Sequence, residues 1–113
     1  MDLEKYKRIF EQEASKYLDE LDIALMRAEK DSSNLQIWGG IHGKMHSIKG
    51  MAKALSMEKI SGLCHSMEEW CKQVQGGDIK PSDEAVQLLI DGTDLLKGLV
   101  RGDGGVSSPG NLK

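Results

Sequence analysis

The sequence predicts an all-α fold: an antiparallel up-down bundle of four helices over residues 1–100, followed by a flexible tail over residues 101–113. Apolar residues recur at three- and four-residue steps in four successive segments, and this is the period of amphipathic helices. Short breaks containing serine, glycine or proline separate the segments, and strand-like alternation of useful length is absent from the sequence. Four amphipathic helices joined by short connections favour antiparallel neighbours around one core.

The first helix is predicted from an apolar stripe between residues 3 and 28, with charged residues on the opposite, solvated face. It should end near Glu29–Lys30, because Asp31-Ser32-Ser33 is typical of a break. The stripe consists of Leu3, Phe10, Ala14, Tyr17, Leu18, Leu21, Leu25 and Ala28.

The second helix is predicted to open with a capping box formed by Ser33 and Gln36. Its seam has an unbroken 3-4-3-4-3 spacing, formed by Trp38, Ile41, Met45, Ile48, Ala52 and Leu55. Gly39, Gly40 and Gly43 lie inside this segment, and each costs about 1 kcal/mol relative to alanine in a helix interior. Either they let a neighbouring helix approach closely, or the helix begins after them.

The third helix is predicted to have Ser56 as its N-cap and to end at Gly76-Gly77-Asp78. Its seam comprises Met57, Ile60, Leu63, Cys64, Met67, Cys71 and Val74. Ser82 is the predicted N-cap of the fourth helix, whose pattern stops after Val100. The apolar face of that helix comprises Ala85, Leu88, Leu89, Gly92, Leu96 and Leu99. The glycine- and serine-rich residues that follow predict a linker or tail.

Composition restricts the classes of function. The 113 residues carry a net charge of -3, and this mildly acidic balance argues against a nucleic-acid partner. No apolar run approaches the ~20 residues that cross a bilayer, and no signal-peptide pattern opens the chain, so we expect a cytoplasmic protein without membrane insertion. Cys64 and Cys71 lie seven residues apart, about 10 Å along one helix, which is too far for a disulfide.

The chemistry-bearing stretch surrounds His46 in the second helix. His46 and Lys49 lie three residues apart and share a helix face, while Gly50 removes a side chain one turn beyond the imidazole. Residues 32–57 contain no acidic side chain in a chain of net charge -3. This local positive field predicts that His46 is a surface histidine that carries an anionic group.

The turn near residues 55–56 should place the third helix against the second as an antiparallel hairpin. Residues equally far from Ser56 on the two helices then face each other. His46 therefore lies opposite Ser66 and within a turn of His65 and Glu68. A histidine attacks phosphorus through one unprotonated ring nitrogen, so the other nitrogen must keep its proton. We expect Glu68 to accept that N–H from Nδ1, which leaves Nε2 to react, and Lys49 to neutralise phosphoryl oxygens.

The segment His46-Ser47-Ile48-Lys49-Gly50 resembles the H-x-x-K-G signature of histidine phosphotransfer (HPt) domains. Residues 51–57 and the H-x-x-E segment from Leu63 to Glu68 are similar to the N-terminal phosphotransfer domain of CheA-type chemotaxis kinases. The resemblance covers roughly residues 3–100. It departs from the family pattern at His42-Gly43-Lys44, where small or arginine-containing sequence is usual, and at Lys53 and Ser56, where glycine is frequent.

The resemblance implies that His46 is the phosphorylated residue, with Lys49, His65 and Glu68 as its hydrogen-bonding neighbours. It also implies that Gly50 gives partner proteins room to approach, and the same basic face adds Lys53, His42 and Lys44 to the approach surface. The implied partners are the catalytic domain of a histidine kinase and the receiver domain of a response regulator.

The implied function is that of a phosphocarrier without kinase activity or a resident cofactor, since ATP and Mg²⁺ come with the partner domains. The initial Met and the tail suit the N-terminal piece of a larger CheA-like kinase, and a free-standing transmitter domain stays open. Three other hypotheses also stay open. His46 is an ordinary exposed helix residue, His42 and His46 form a zinc site with His65 or Glu68, or the basic face binds an acidic partner without chemistry.

Overall fold

The computed structural model describes residues 2–102, which form four α-helices and no strand. The helices are α1 (Leu3–Lys30), α2 (Leu35–Ala54), α3 (Glu58–Gln75) and α4 (Asp83–Val100). The predicted four-helix, all-α architecture is therefore confirmed for this part of the chain. Of the predicted tail, residues 103–113 lie outside the described residues.

The packing order follows the chain order. α1 packs against α2 and α4, and α3 packs against the same two helices, so the four form a closed ring of neighbours. The short connections make consecutive helices antiparallel, as the sequence predicted. The core has members from every helix, and its largest fully buried side chains are Trp38, Leu18, Leu21, Ile41, Met45, Ile48, Leu89 and Leu96.

Two predicted core positions are wrong. Leu3 is 49% exposed at the start of α1, and Leu88 is 51% exposed on α4. The buried face of α4 is instead formed by Ala85, Val86, Leu89, Thr93, Leu96 and Val100. The prediction missed this stripe because it counted only apolar residues. Thr93 is polar but buried, and without it the apolar residues of α4 indicate the neighbouring face of the helix.

The helix N-termini also differ in part from the prediction. Ser82 caps α4 as expected, since its hydroxyl accepts a hydrogen bond from the backbone N–H of Ala85 at 3.0 Å. The cap of α2 is Asn34 rather than Ser33, because the Asn34 side chain accepts from the backbone N–H of Gln36 at 3.0 Å. The sequence Ser-Ser-Asn offers three cap-forming side chains in a row, which is why the pattern alone missed by one residue.

The prediction for Ser56 is wrong, and the reason fixes the α2–α3 turn. Ser56 has a φ of 57°, in the left-handed region, and α3 follows Met57 without a side-chain cap. The backbone N–H of Met57 donates to Ala52, and that of Ser56 donates to Lys53. These two bonds are the Schellman pattern, so Ser56 ends α2 instead of beginning α3.

The glycines of α2 are inside the helix, because the helix begins at Leu35. A Cβ added at Gly39 would lie 3.1 Å from Nε2 of Gln75 on α3, whereas one added at Gly40 or Gly43 would meet nothing within 4 Å. Close approach of a neighbouring helix therefore accounts for Gly39 alone.

Candidate functional site

His46 stands on the outer side of the α2–α3 pair, with its side chain 67% exposed. Its Nδ1 lies 2.9 Å from Oε2 of Glu68 on α3. A carboxylate can only accept, so this contact places the ring proton on Nδ1. The remaining nitrogen, Nε2, then has a lone pair and belongs to a ring that is mostly open to solvent. The predicted hairpin geometry thus brings these two side chains together.

Glu68 is the buried centre of the site, with 7% of its surface exposed in a seam otherwise made of apolar residues. Its Oε1 lies 2.6 Å from Nζ of Lys49, and its Oε2 lies 3.6 Å from Nε2 of His42. Burial raises the pKa of this carboxyl, but the ion pair with Lys49 and the hydrogen bond with His46 outweigh burial and hold the pKa below its usual value. Glu68 is therefore a carboxylate that three α2 side chains approach.

Lys49 contacts the buried carboxylate of Glu68. Its side chain is only 17% exposed, and the ammonium group is paired with Glu68. In this arrangement the lysine neutralises the carboxylate. Its contact with phosphoryl oxygens stays a prediction.

His65 does not join this cluster. It is exposed, and within residues 2–102 it makes no hydrogen bond to His46 or to Glu68. Positions three apart on a helix differ by about 60° around the axis. With that rotation Glu68 lies in the buried seam and His65 faces solvent. Two residues three apart on one helix therefore need not reach the same site.

The predicted approach surface is partly open. Gly50 and Lys53 are exposed, and a Cβ added at Gly50 would meet nothing within 4 Å. Lys44 is half-buried, with Nζ 3.9 Å from Oε1 of Glu20 on α1. His42 is also half-buried and faces Glu68. The sequence showed that His42 and His46 lie four residues apart. It did not show that both approach the carboxylate of Glu68.

A cleft of about 450 Å³ lies beside the imidazole of His46. It is formed by α2 and α3, and its lining residues are His42, Gly43, His46, Glu68, Glu69, Lys72 and Gln75. Sequence reasoning did not place Glu69 or Lys72 near the site. Both lie on the exposed side of α3, where charged residues are ordinary, so their position beside His46 emerges only from the packing.

The described part of the chain has neither a metal-binding cluster nor an exposed thiol. Across residues 2–102, no group of three His, Cys, Asp or Glu side chains is arranged to hold a metal ion. Cys64 and Cys71 are both free and buried. Burial, with the nearby Glu68 carboxylate, raises the pKa of each thiol to about 12. They are therefore packing residues with little thiolate at neutral pH.

The helices of the described part do not suit a bilayer: none in residues 2–102 is both long enough and apolar enough to cross one.

Comparison with known proteins places this geometry in context. Residues 5–99 match the family model described as Hpt domain. The chemotaxis protein CheA of Bacillus subtilis is 27% identical over 107 residues, or 93% of this chain and 16% of that protein. The sensor histidine kinase CheAY of Helicobacter pylori is 27% identical over 99 residues, or 88% of this chain and 12% of that protein.

A solved structure has the same fold. The CheA phosphotransferase domain from Thermotoga maritima superposes with a TM-score of 0.83 at 24% sequence identity, covering 90% of this chain and 96% of that chain. The chain therefore corresponds to nearly all of that domain, but it spans only 16% of the Bacillus subtilis protein and 12% of the Helicobacter pylori protein.

Proposed function

Since the chain belongs to the Hpt domain family, we propose that it is a histidine phosphocarrier of chemotaxis-type two-component signalling. In this proposal His46 accepts a phosphoryl group from a kinase ATP-binding domain and passes it to an aspartate of a response regulator. The observation that carries the proposal is the exposed imidazole of His46, with Nδ1 held by the buried Glu68.

Phosphoryl acceptance follows from this tautomer. The Nε2 lone pair attacks the γ-phosphorus of ATP, the bond from that phosphorus to the bridging oxygen breaks, and ADP leaves with the electron pair. The ring keeps its Nδ1 proton and becomes positively charged. Glu68 stabilises that charge by accepting the Nδ1–H, as carboxylates do for histidines in other sites.

Donation reverses the bond changes. A carboxylate oxygen of the regulator's aspartate attacks the phosphorus, the P–N bond breaks, and its electron pair returns to Nε2. The product is an acyl phosphate on the partner and a neutral imidazole that has the original tautomer. Lys49 is 2.6 Å from Glu68 and one turn from His46, so rotation of its side chain would offer the ammonium to phosphoryl oxygens in either direction.

The partners in this proposal are the catalytic domain of a histidine kinase and a receiver domain. They supply ATP and Mg²⁺, so the carrier needs no cofactor of its own. A chain of net charge -3 with one basic face suits protein partners better than nucleic acid. The chain spans 16% of the Bacillus subtilis chemotaxis protein CheA, and the proposal holds both for a phosphotransfer module of a longer CheA-like kinase and for a free-standing HPt protein.

The test is intact mass after incubation with ATP, Mg²⁺ and kinase cores that lack their own phosphotransfer domain, taken from several chemotaxis systems. We expect one phosphoryl adduct that brief acid treatment removes and that a His46→Gln variant does not form. An adduct on the variant, or none with every kinase core, would contradict the proposal. If the His46→Gln variant still bound its partners, that second outcome would favour a basic interaction module without chemistry.

A further inference from the structure

Two imidazoles approach one oxygen of Glu68. His46 Nδ1 lies 2.9 Å from Oε2, within hydrogen-bond distance, and His42 Nε2 lies 3.6 Å from the same atom. The two histidines are four residues apart on α2, so they stand one turn apart on the same face. The bond-changing steps of the proposed phosphoryl transfer use His46 and not His42.

The charge on His42 decides how strongly it competes with His46 for the Oε2 atom of Glu68. A neutral imidazole at 3.6 Å is too distant for a good hydrogen bond, whereas a protonated one forms an ion pair with Glu68. The charged or titratable groups that line the same cleft are His46 on α2 and Glu68, Glu69 and Lys72 on α3. The side chain of His42 is 34% exposed, so it exchanges protons with solvent in the folded protein.

We propose that His42 is a positioning residue that acts on His46 through the shared Glu68 oxygen, so that protonation of His42 slows phosphoryl acceptance. The inference rests on the proposed function. A protonated His42 draws Oε2 toward itself and neutralises part of the charge on the carboxylate. Glu68 then holds Nδ1–H of His46 less tightly and supports less positive charge on the reacting ring.

Two substitutions separate charge from hydrogen bonding. His42→Gln keeps an N–H donor but cannot be protonated, and His42→Phe removes both the donor and the charge. Half-buried His42 is not a core residue, so both variants should fold. The ratio of each variant's rate of phosphoryl acceptance to the wild-type rate should rise by about two- to fivefold between about pH 8 and about pH 6, the range for one partly exposed ion pair.

The experiment measures variant-to-wild-type rate ratios with the same kinase core, so that the pH dependence of the kinase cancels in the ratio. Each rate is first divided by the fraction of His46 that is unprotonated on Nε2 at that pH, which the ring titration below gives. A ratio that rises as pH falls for both variants supports the proposal. A ratio that is flat with pH, or that falls as pH falls, overturns it.

A second measurement needs no kinase. The ¹⁵N resonances of the His46 ring report which nitrogen bears the proton. In the 113-residue chain, the His46 ring of both variants should take up its second proton, on Nε2, at higher pH than in the wild type, because Glu68 then supports the charged ring without competition from His42. Identical titrations of the His46 ring in all three proteins would overturn the role of His42. Absence of phosphorylation in the wild type would instead contradict the carrier function, so the two failures are distinguishable.

Discussion

At the scale of single residues, the site is organised by the carboxylate of Glu68. It is 7% exposed in an apolar seam, and burying a charge there is costly unless partners compensate it. Lys49 compensates from one side and His46 from the other. The same contacts that make the buried charge tolerable select the Nδ1–H tautomer of His46, so the stability and reactivity of this site share one cause.

The first prediction concerns the rate of transfer. Glu68→Gln keeps the shape of the side chain but removes the charge that supports the ring during phosphoryl acceptance. We expect phosphorylation of His46 to slow by about 10- to 100-fold, the usual effect of removing an orienting carboxylate. Stopped samples analysed by intact mass measure the rate. Glu58→Gln, at the exposed start of α3, is the matched control. Equal rates for Glu68→Gln and the control would remove Glu68 from the mechanism.

The second prediction concerns stability as a function of pH. The native pKa of Glu68 is lowered from 4.5, so the ionised side chain stabilises the fold above that value. That contribution is lost as pH falls through the lower native pKa. Urea denaturation should show wild type more stable than Glu68→Gln by about 2 kcal/mol near neutral pH. The two free energies of unfolding should converge below pH 4.5. A difference that persists in strong acid would contradict this account.

At the scale of the helix, α2 combines a buried apolar seam with four glycines. Its seam was predictable because six apolar residues repeat without a gap. The structure buries five of them, Trp38, Ile41, Met45, Ile48 and Ala52, and leaves Leu55 half-buried at the end of the helix. The helix ends were less predictable. An N-cap is the residue whose backbone is extended, and the sequence does not show which of several adjacent polar residues that is. Ser56 illustrates the limit: it is a good N-cap residue type, but here it occupies the left-handed position that closes α2.

The third prediction separates helix stability from partner access on α2. Gly40 and Gly50 are both exposed, and a Cβ at either would meet nothing within 4 Å. Alanine at each should therefore stabilise the protein by about 1 kcal/mol, measured by thermal denaturation. Gly50 lies one turn from His46, so Gly50→Ala should also slow transfer several-fold by obstructing partners, while Gly40→Ala leaves it unchanged. Wild-type transfer by Gly50→Ala would show that the glycine is not needed for access.

At the scale of the molecule, the bundle and its hairpin were predictable from periodicity and turn position alone. Counting from the α2–α3 turn placed His46 within a turn of Glu68, and the structure sets the two side chains 2.9 Å apart. The remaining details depend on side-chain direction, which spacing does not determine. His65 faces solvent, and Lys49 turns to Glu68. The approach of His42 to the same carboxylate depends on how closely α2 and α3 pack.

The fourth prediction uses the buried thiols as probes of the whole bundle. Cys64 and Cys71 are fully buried, and each thiol has a pKa of about 12, so reagents should reach them only when the bundle opens. We expect both to be labelled together, at the rate of global unfolding, when thiol modification is followed by mass spectrometry. Labelling of Cys64 well before Cys71 would show instead that the α2–α3 pair opens locally near the site.

The most direct test of the account identifies the nitrogen that carries the phosphoryl group. The chain has three histidines, His42, His46 and His65, and each ring offers two nitrogens. Long-range ¹H–¹⁵N NMR spectra of the phosphorylated domain distinguish all six. The account predicts phosphorus on Nε2 of His46 alone, with the proton retained on Nδ1. A phosphoryl group on Nδ1 of His46, or on His42 or His65, would contradict it.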